Sequence, residues 1–479
     1  MPLAERRPGR PIRPLVRGFL MPSLRHPAPP RGGGLSVVED AEPGAAAKRI
    51  GLIVFVAAAV LLGGASRPTM FLPLLQLGAA ALLALHCLRP TPLPRVARAG
   101  VTLVVLAALL PFAWAVPLTA AVWSATPVGG WIADSYRAAG LPLGARGLGA
   151  VAGTALPAML FMLLPLAAFV AAAGATRRLR WQLTVALALL AGAELLVGFS
   201  QFLSGNAGAL RLYAITSHSG ALGFFANRNH LAALLIATLP VVLMSAGRAE
   251  ATGGRPAAIV WSAGVVLFML GLAATLSRAG ALLGVAILAA TLAAMYVVRG
   301  REGERASGWF LYAAVGALLL AALVAGPAIA QRLMQAEDRR TVFMRDTAAA
   351  IGWSWPVGTG PGSFTVVYPA FERIEDMRPT FANHAHNDYL ELLLEYGIAG
   401  GVSLVAGLLL WLFAAAQAWR VATREPLCLG AALGSAALLL HSAVDYPLRT
   451  PALAVLFGLL CGLMIPPAAR WRVALKRVP

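Results

Sequence analysis

The chain reads as an all-α, polytopic membrane protein of about twelve transmembrane helices with one long extramembrane loop, and three observations predict this class. The composition is 59% hydrophobic and only 12% charged, against roughly 25% charged residues in a soluble domain. The apolar residues come in runs of about 20, the length an α-helix needs to cross a bilayer. Lys and Arg fall in the short links between those runs, as control of membrane orientation requires. The last point also accounts for the formal net charge of +19: the positive residues mark a membrane face, and no nucleic-acid partner is expected.

Residues 1–49 are different in kind. Arg6, Arg7, Arg10, Arg13, Arg17, Arg25 and Arg31 are interleaved with Pro and Gly. Such a segment cannot bury a core and predicts a disordered basic tail. It is too long, ahead of the first apolar run, for a secretory signal, and suits the anionic cytoplasmic leaflet. Helices 1–9 are expected within 50–330, at 50–66, 69–88, 98–118, 149–174, 182–203, 221–246, 257–276, 279–298 and 309–330. Helices 10–12 are expected within 390–479, at 390–418, 427–445 and 451–468. The stretch 119–148, with Trp123, Trp131, Asp134, Tyr136 and Arg137, reads as an interfacial loop or short helix. Cys87, Cys428 and Cys461 all lie in or beside apolar runs, which implies neither a disulfide framework nor a cysteine metal site.

Orientation follows from the links. With both termini cytoplasmic, the inner links carry Arg89, Arg95, Arg98, Arg177, Arg178, Arg180, Arg248, Arg255, Arg299, Arg301, Arg305, Arg420 and Arg424. The short outer links hold Arg67, Arg211, Arg278 and Arg449, the asymmetry of the positive-inside rule. The long loop 331–389 then lies outside, on the periplasmic face of a bacterial inner membrane. Arg278, Asn227, Asn229, His230 and Asp445 gather there too. Ionisable groups at a membrane boundary are costly and mark functional sites.

Several groups on that face invite chemistry, and each has a plainer reading beside it. Gly358, Gly360 and Gly362 allow close backbone approach to a phosphate or sugar, or simply make a turn. Trp353, Trp355, Phe364, Tyr368 and Phe371 can stack on sugar rings or anchor the loop at the interface. Arg278 and Arg340 offer rigid guanidinium forks that can clamp a diphosphate, although an arginine between apolar spans also snorkels. Asn227 and Asn229 open a span, as a helix cap or as partners of a substrate head group. His384-Ala-His386-Asn387-Asp388 closes the loop. One imidazole can serve as general base with a neighbouring acceptor, Asn387 or Asp388, to orient it. The spacing is not that of a zinc site, and no metal is assigned.

These stretches together resemble the O-antigen ligase / O-antigen polymerase family of membrane glycosyltransferases, over roughly 200–465. The most specific element is His386-Asn387, nine residues, Gly397, two residues, Gly400. Gly223-Phe-Phe-Ala-Asn227-Arg-Asn229, Ser277-Arg278-Ala-Gly280, Arg340, Pro356-Val-Gly-Thr-Gly360-Pro-Gly362-Ser-Phe364 and Asp445-Tyr-Pro447 accompany it. The resemblance implies transfer without metal or cofactor on the periplasmic face. The donor is a glycan on undecaprenyl diphosphate and the acceptor a hydroxyl of lipid A core or a growing polysaccharide. It maps the essential histidine onto His386 and the essential arginines onto Arg278 and Arg340, the latter flanked by Arg339 and Arg345. A surface-polysaccharide polymerase and a protein O-oligosaccharyltransferase share these motifs and differ in acceptor. A catalytically silent assembly partner is disfavoured by the intact His386, Arg278 and Arg340. A polysaccharide transporter is the reading from another class, but transporter sites sit near the bilayer midplane.

Overall fold

The computed structural model describes residues 44–204, 210–217, 219–301, 316, 339–378 and 382–467, with backbone only for 246–262. Nearly all of the expected basic tail, the expected span 309–330 and the first part of the long loop lie outside the described residues. Helices α1 to α9 are Ala45–Leu62, Phe71–Leu88, Arg95–Leu109, Ala120–Trp123, Pro127–Ala138, Ala155–Ala173, Arg177–Leu203, Arg228–Ala274 and Arg278–Arg301. Helices α10 to α14 are Arg339–Ser354, Phe364–Val367, Asp388–Arg420, Pro426–Ser442 and Pro451–Leu463. Among the described residues, eight segments are long and apolar enough to cross a membrane, and Ala263–Ala274, α13 and α14 are shorter apolar helices. The expected span 50–66 begins earlier, at Ala45, and 427–445 ends earlier, at Ser442. The interfacial stretch forms the short helices α4 and α5.

Helix α8 is helical over 47 residues, which would extend roughly 70 Å if straight. Yet the N–H of Ala221, just before it, donates to the carbonyl of Ala274 at its end, 2.9 Å. The run must therefore fold back between the span ending at Ser245 and the apolar segment Ala263–Ala274. This is the pair of spans that the apolar pattern separates at 221–246 and 257–276. The reversal returns the Ser277-Arg278 turn to the end of the bundle where Asn227 begins α8. Helix α8 packs on α13, α9 and α7, and α6 packs on α14 and α2. Among the buried residues Leu, Ala and Val recur throughout. Small side chains let helices approach closely where lipid supplies no hydrophobic driving force.

The two ends of the bundle differ in charge. Helix α12 runs from Asp388 to Arg420, about 50 Å at a helical rise. At its far end Arg177 pairs with Glu425, and Arg301 lies over the Trp419 ring at 5.0 Å. Buried Arg180 closes the C-terminus of α14 there, donating to the carbonyls of Leu463 at 2.7 Å and Ile465 at 2.8 Å. A helix end with orphan carbonyls welcomes such a cation. The near end of α12 carries the loop and its histidines.

The loop is a folded element. Ala350, Phe364, Val367, Tyr368, Ala385 and Leu394 form a small apolar core of their own, and Trp353 packs edge-on against Trp131 of α5 at 6.1 Å. The glycine-rich turn docks into a break in α12. At Gly397 the backbone adopts φ 51 and ψ −135, inside an otherwise helical run. Ile398 N–H turns to the carbonyl of Pro356, 2.9 Å, while Thr359 and Gly360 N–H donate to the carbonyls of Leu394 and Glu395, both 2.8 Å. A Cβ at Gly397 would lie 2.1 Å from that Pro356 oxygen. Gly397→Ala is expected to cost at least about 1–3 kcal/mol from backbone conformation alone, with the clash added. A lower unfolding temperature of the purified protein, and reduced accumulation in membranes, check this. Wild-type stability would mean the break is not needed.

Candidate active site

The histidine loop is fixed from its helix outward. Asn387 caps α12, its Oδ1 accepting from the N–H groups of Tyr389 at 3.0 Å and Leu390 at 3.1 Å. Its Nδ2 donates to the Ala443 carbonyl, 2.9 Å, tying the cap to the end of α13. One residue earlier His386 takes a left-handed φ of 51, a conformation that a non-glycine residue adopts only when its surroundings hold it. Glu391 supplies part of that hold. One of its oxygens meets His384 Nδ1 at 2.8 Å, and the other accepts from Ala385 N–H at 2.9 Å, between the two histidines.

His386 Nδ1 lies 3.2 Å from Asp445 Oδ1, a carboxylate 0% exposed. Asp445 also receives Arg340 Nη2 on Oδ2 at 3.2 Å, and Arg340 Nη1 donates to the neighbouring Val444 carbonyl at 3.0 Å. Arg340 and Phe343 are one turn apart on α10 and so share a face. Phe343 stacks on the His386 ring at 5.4 Å with 15° between planes. Tyr446 closes the other side, its ring 4.8 Å from His386, 4.4 Å from His384 and 5.0 Å from His230. The amides of Asn227 and Asn383 donate to the Tyr446 hydroxyl at 3.4 and 3.3 Å.

A second buried ion cluster lies behind His384. Arg449 reaches Glu395 at 3.0 Å, Glu391 at 3.4 Å and Asp388 at 3.9 Å. Asp388 in turn accepts from Ser442 Oγ at 2.8 Å and Leu448 N–H at 3.1 Å. Glu395 Oε1 accepts from Gly362 N–H at 2.8 Å. A continuous chain of contacts thus runs from the glycine turn through Glu395, Arg449 and Glu391 to the histidine loop.

The electrostatics of the link between α13 and α14 follow from these contacts. Burial alone pushes the Asp445 carboxyl up, but the hydrogen bond and charge of His386 and the charge of Arg340 outweigh it and hold the group well below the usual carboxylate range. Burial, reinforced by Asp445, pushes the Tyr446 phenol up to about 12, so it stays protonated. Burial opposes the charge of Arg449, yet Glu391, Glu395 and Asp388 more than compensate and keep it firmly protonated.

The expected residues take up the following contacts. The carboxylate that meets His386 Nδ1 is Asp445, 59 residues further on, while Asn387 caps α12 and Asp388 accepts from Ser442 and Leu448. Arg345 faces Asp346 at 2.8 Å and Asp376 at 2.6 Å, whereas Arg340 meets Asp445, the carboxylate beside His386. Gly360 and Gly362 spend their N–H groups on Glu395, and their conformation is accounted for by docking of the turn. Asn227 caps α8, accepting from the buried Asn229 N–H at 2.9 Å, and still reaches the site through Tyr446. Arg278 is half-buried at the start of α9, at the same end of the bundle. The Arg449 cluster was readable in part: Asp388, Glu391 and Glu395 recur at helical spacing on one face.

The fold and site define a multi-pass, all-helical membrane protein with an ion-paired histidine centre at one end of its bundle. Residues 263–405 match the family model described as O-Antigen ligase, which supports the O-antigen ligase family. Members of that family are membrane glycosyltransferase-like enzymes. The match includes Arg278, Arg340, the glycine turn and His386 through Gly400, while Asn227 and Asp445 fall outside it. No individually curated protein matches the chain.

The depressed carboxyl of Asp445 sets a pH dependence. A group whose folded value lies below its unfolded value contributes stability that is present above the unfolded value, about 4, and fades as pH falls through the folded one. Wild type is therefore expected to exceed Asp445→Asn in thermal stability near pH 6, with the gap narrowing below about pH 4. Parallel stability–pH curves for the two proteins would remove the ion-paired carboxylate from the account.

Proposed function

We propose that this protein transfers a glycan from undecaprenyl diphosphate to an acceptor hydroxyl, on the extracytoplasmic face of the bacterial inner membrane. The observation that carries the reading is the His386–Asp445–Arg340 arrangement, in which His386 and Arg340 belong to the stretch that matches the O-antigen ligase model. Asp445 on Nδ1 sets the tautomer and ring plane of His386 and leaves Nε2 to take a proton, the logic of a carboxylate-oriented base. The acceptor oxygen, losing its proton to Nε2, attacks the anomeric carbon. The bond to the diphosphate oxygen breaks, and its electron pair leaves with undecaprenyl diphosphate. Arg340 keeps the Asp445 charge balanced while the imidazole becomes positive. Arg278 contributes its fork to the departing diphosphate, where charge develops and stabilisation accelerates the step. The lipid tail stays in the bilayer beside the helices. Lipid A core is the acceptor in the ligase reading and a growing polysaccharide in the polymerase reading; the chemistry at His386 is common to both.

The sidedness rests on the segregation of charge between the bundle ends. Arg177, Arg180, Arg301 and Arg420 mark the end opposite the histidines, as the positive-inside rule asks of a cytoplasmic face. With the twelve spans that the apolar pattern predicts, both termini fall on that side and residues 331–389 outside. Glu375 is exposed in the loop. A Glu375→Cys variant is expected to react with a membrane-impermeant maleimide in intact cells; reaction only after lysis would reverse the orientation and the proposed face.

For the chemistry, His386→Ala is expected to lower glycan transfer by about 10²–10⁴-fold, the usual worth of a positioned acid–base group, while the protein still accumulates. Asp445→Asn should fall in the same direction, and Arg278→Lys should remain impaired because it keeps charge but loses the fork. Transfer assayed by surface-polysaccharide analysis of a complemented deletion strain reads all three. Near-normal transfer by His386→Ala would end the general-base reading.

A further inference from the structure

His384 repeats the construction of His386. Each histidine places Nδ1 on a buried carboxylate: Glu391 at 2.8 Å for His384, Asp445 at 3.2 Å for His386. Each ring packs against the same tyrosine, Tyr446, at 4.4 and 4.8 Å. The two side chains are 15% and 19% exposed, and among the described residues neither Nε2 makes a hydrogen bond. Each ring thus keeps its Nε2 clear of those carboxylates, on a side chain that is partly exposed.

The charge behind them differs. Asp445 pairs with Arg340 as well as with His386. Behind His384, a single cation, Arg449, serves three buried carboxylates, Asp388, Glu391 and Glu395. Buried charge requires compensation, and unlike environments around like groups divide acid from base roles. Arg340, meanwhile, commits two of its nitrogens to Asp445 and Val444.

We propose that His384 is a second catalytic imidazole, one that binds the diphosphate of the donor. The assignment rests on the transfer reading given above. With Glu391 on Nδ1 and a diphosphate oxygen on Nε2, both ring nitrogens donate, which is the imidazolium state, and both hydrogen bonds are charge-assisted. As the acceptor proton passes to His386 and the glycosidic bond to the diphosphate breaks, the electron pair moves onto the diphosphate oxygen that His384 Nε2–H already holds. No proton need leave His384 in that step. Glu391 then serves both histidines, by charge to one and by its grip on Ala385 N–H for the other.

The test uses the full chain in lipid nanodiscs with undecaprenyl diphosphate as the probe, measuring its binding by titration and glycan transfer separately. His384→Ala is expected to bind the probe about 10-fold or more weakly, the worth of one hydrogen bond to a charged group. His384→Gln, which keeps an N–H donor at similar reach, is expected to recover most of that loss. His386→Ala is expected to bind like wild type and fail in transfer. Wild-type binding by His384→Ala overturns the assignment and leaves the His386 reading standing. If wild type itself does not bind undecaprenyl diphosphate, the donor reading falls and the assignment with it. Should the Ala variant not accumulate, His384→Gln is compared with His384→Met, of similar shape but without a donor, and equal binding by the two overturns the assignment.

Discussion

Asp445 is the constraint around which the site is arranged. A carboxylate with no exposure, placed where two apolar helices end, keeps its charge only if cations and donors reach it. Two parts of the chain distant from it supply them: Arg340 from α10 and His386 from the approach to α12. Satisfying one buried charge thereby joins the long loop, the tenth expected span and the end of α13. The contacts that stabilise the carboxylate also hold the His386 ring against it.

The second cluster extends this principle. Arg449 draws Asp388, Glu391 and Glu395 onto one side of α12, and through Glu391 and Glu395 it links the histidine loop to the glycine turn. The turn needs the break at Gly397, and the break needs a residue without Cβ. The stretch from His386 to Gly397 is therefore one mechanical unit: a capped helix start, a histidine just ahead of it and a break into which the loop docks. Such buried ion networks are costly to assemble and more costly to break on one side. They are apt for holding a residue such as His386 in a left-handed conformation that its own backbone disfavours.

How far the site was legible depended on whether the relevant contacts are local. Helix placement was, because it rests on apolar runs: the expected 390–418 became Asp388–Arg420 and 69–88 became Phe71–Leu88. His384, His386 and Asn387 stood out because ionisable groups at a membrane boundary have few bland explanations. The helix phase of α10 did not, and it alone separates Arg340, facing Asp445, from Arg345, facing Asp346 and Asp376. The glycines at 358 to 362 announced a tight turn, but whether its amides face a ligand or the protein depended on α12 lying alongside.

The sequence by itself determined that the chain is helical, apolar enough to cross a membrane several times and polar at one end, since runs of hydrophobic residues and the spacing of arginines express those properties locally. It also singled out the histidine motif by its register with Gly397 and Gly400. Only the tertiary structure decided which carboxylate stands behind each imidazole. Asn387 and Asp388 are neighbours of His386 in the chain, yet one is consumed in capping α12 and the other in holding Ser442 and Leu448. Asp445, 59 residues away, reaches the ring because α13 packs beside α12, and its burial there makes the charged partners indispensable.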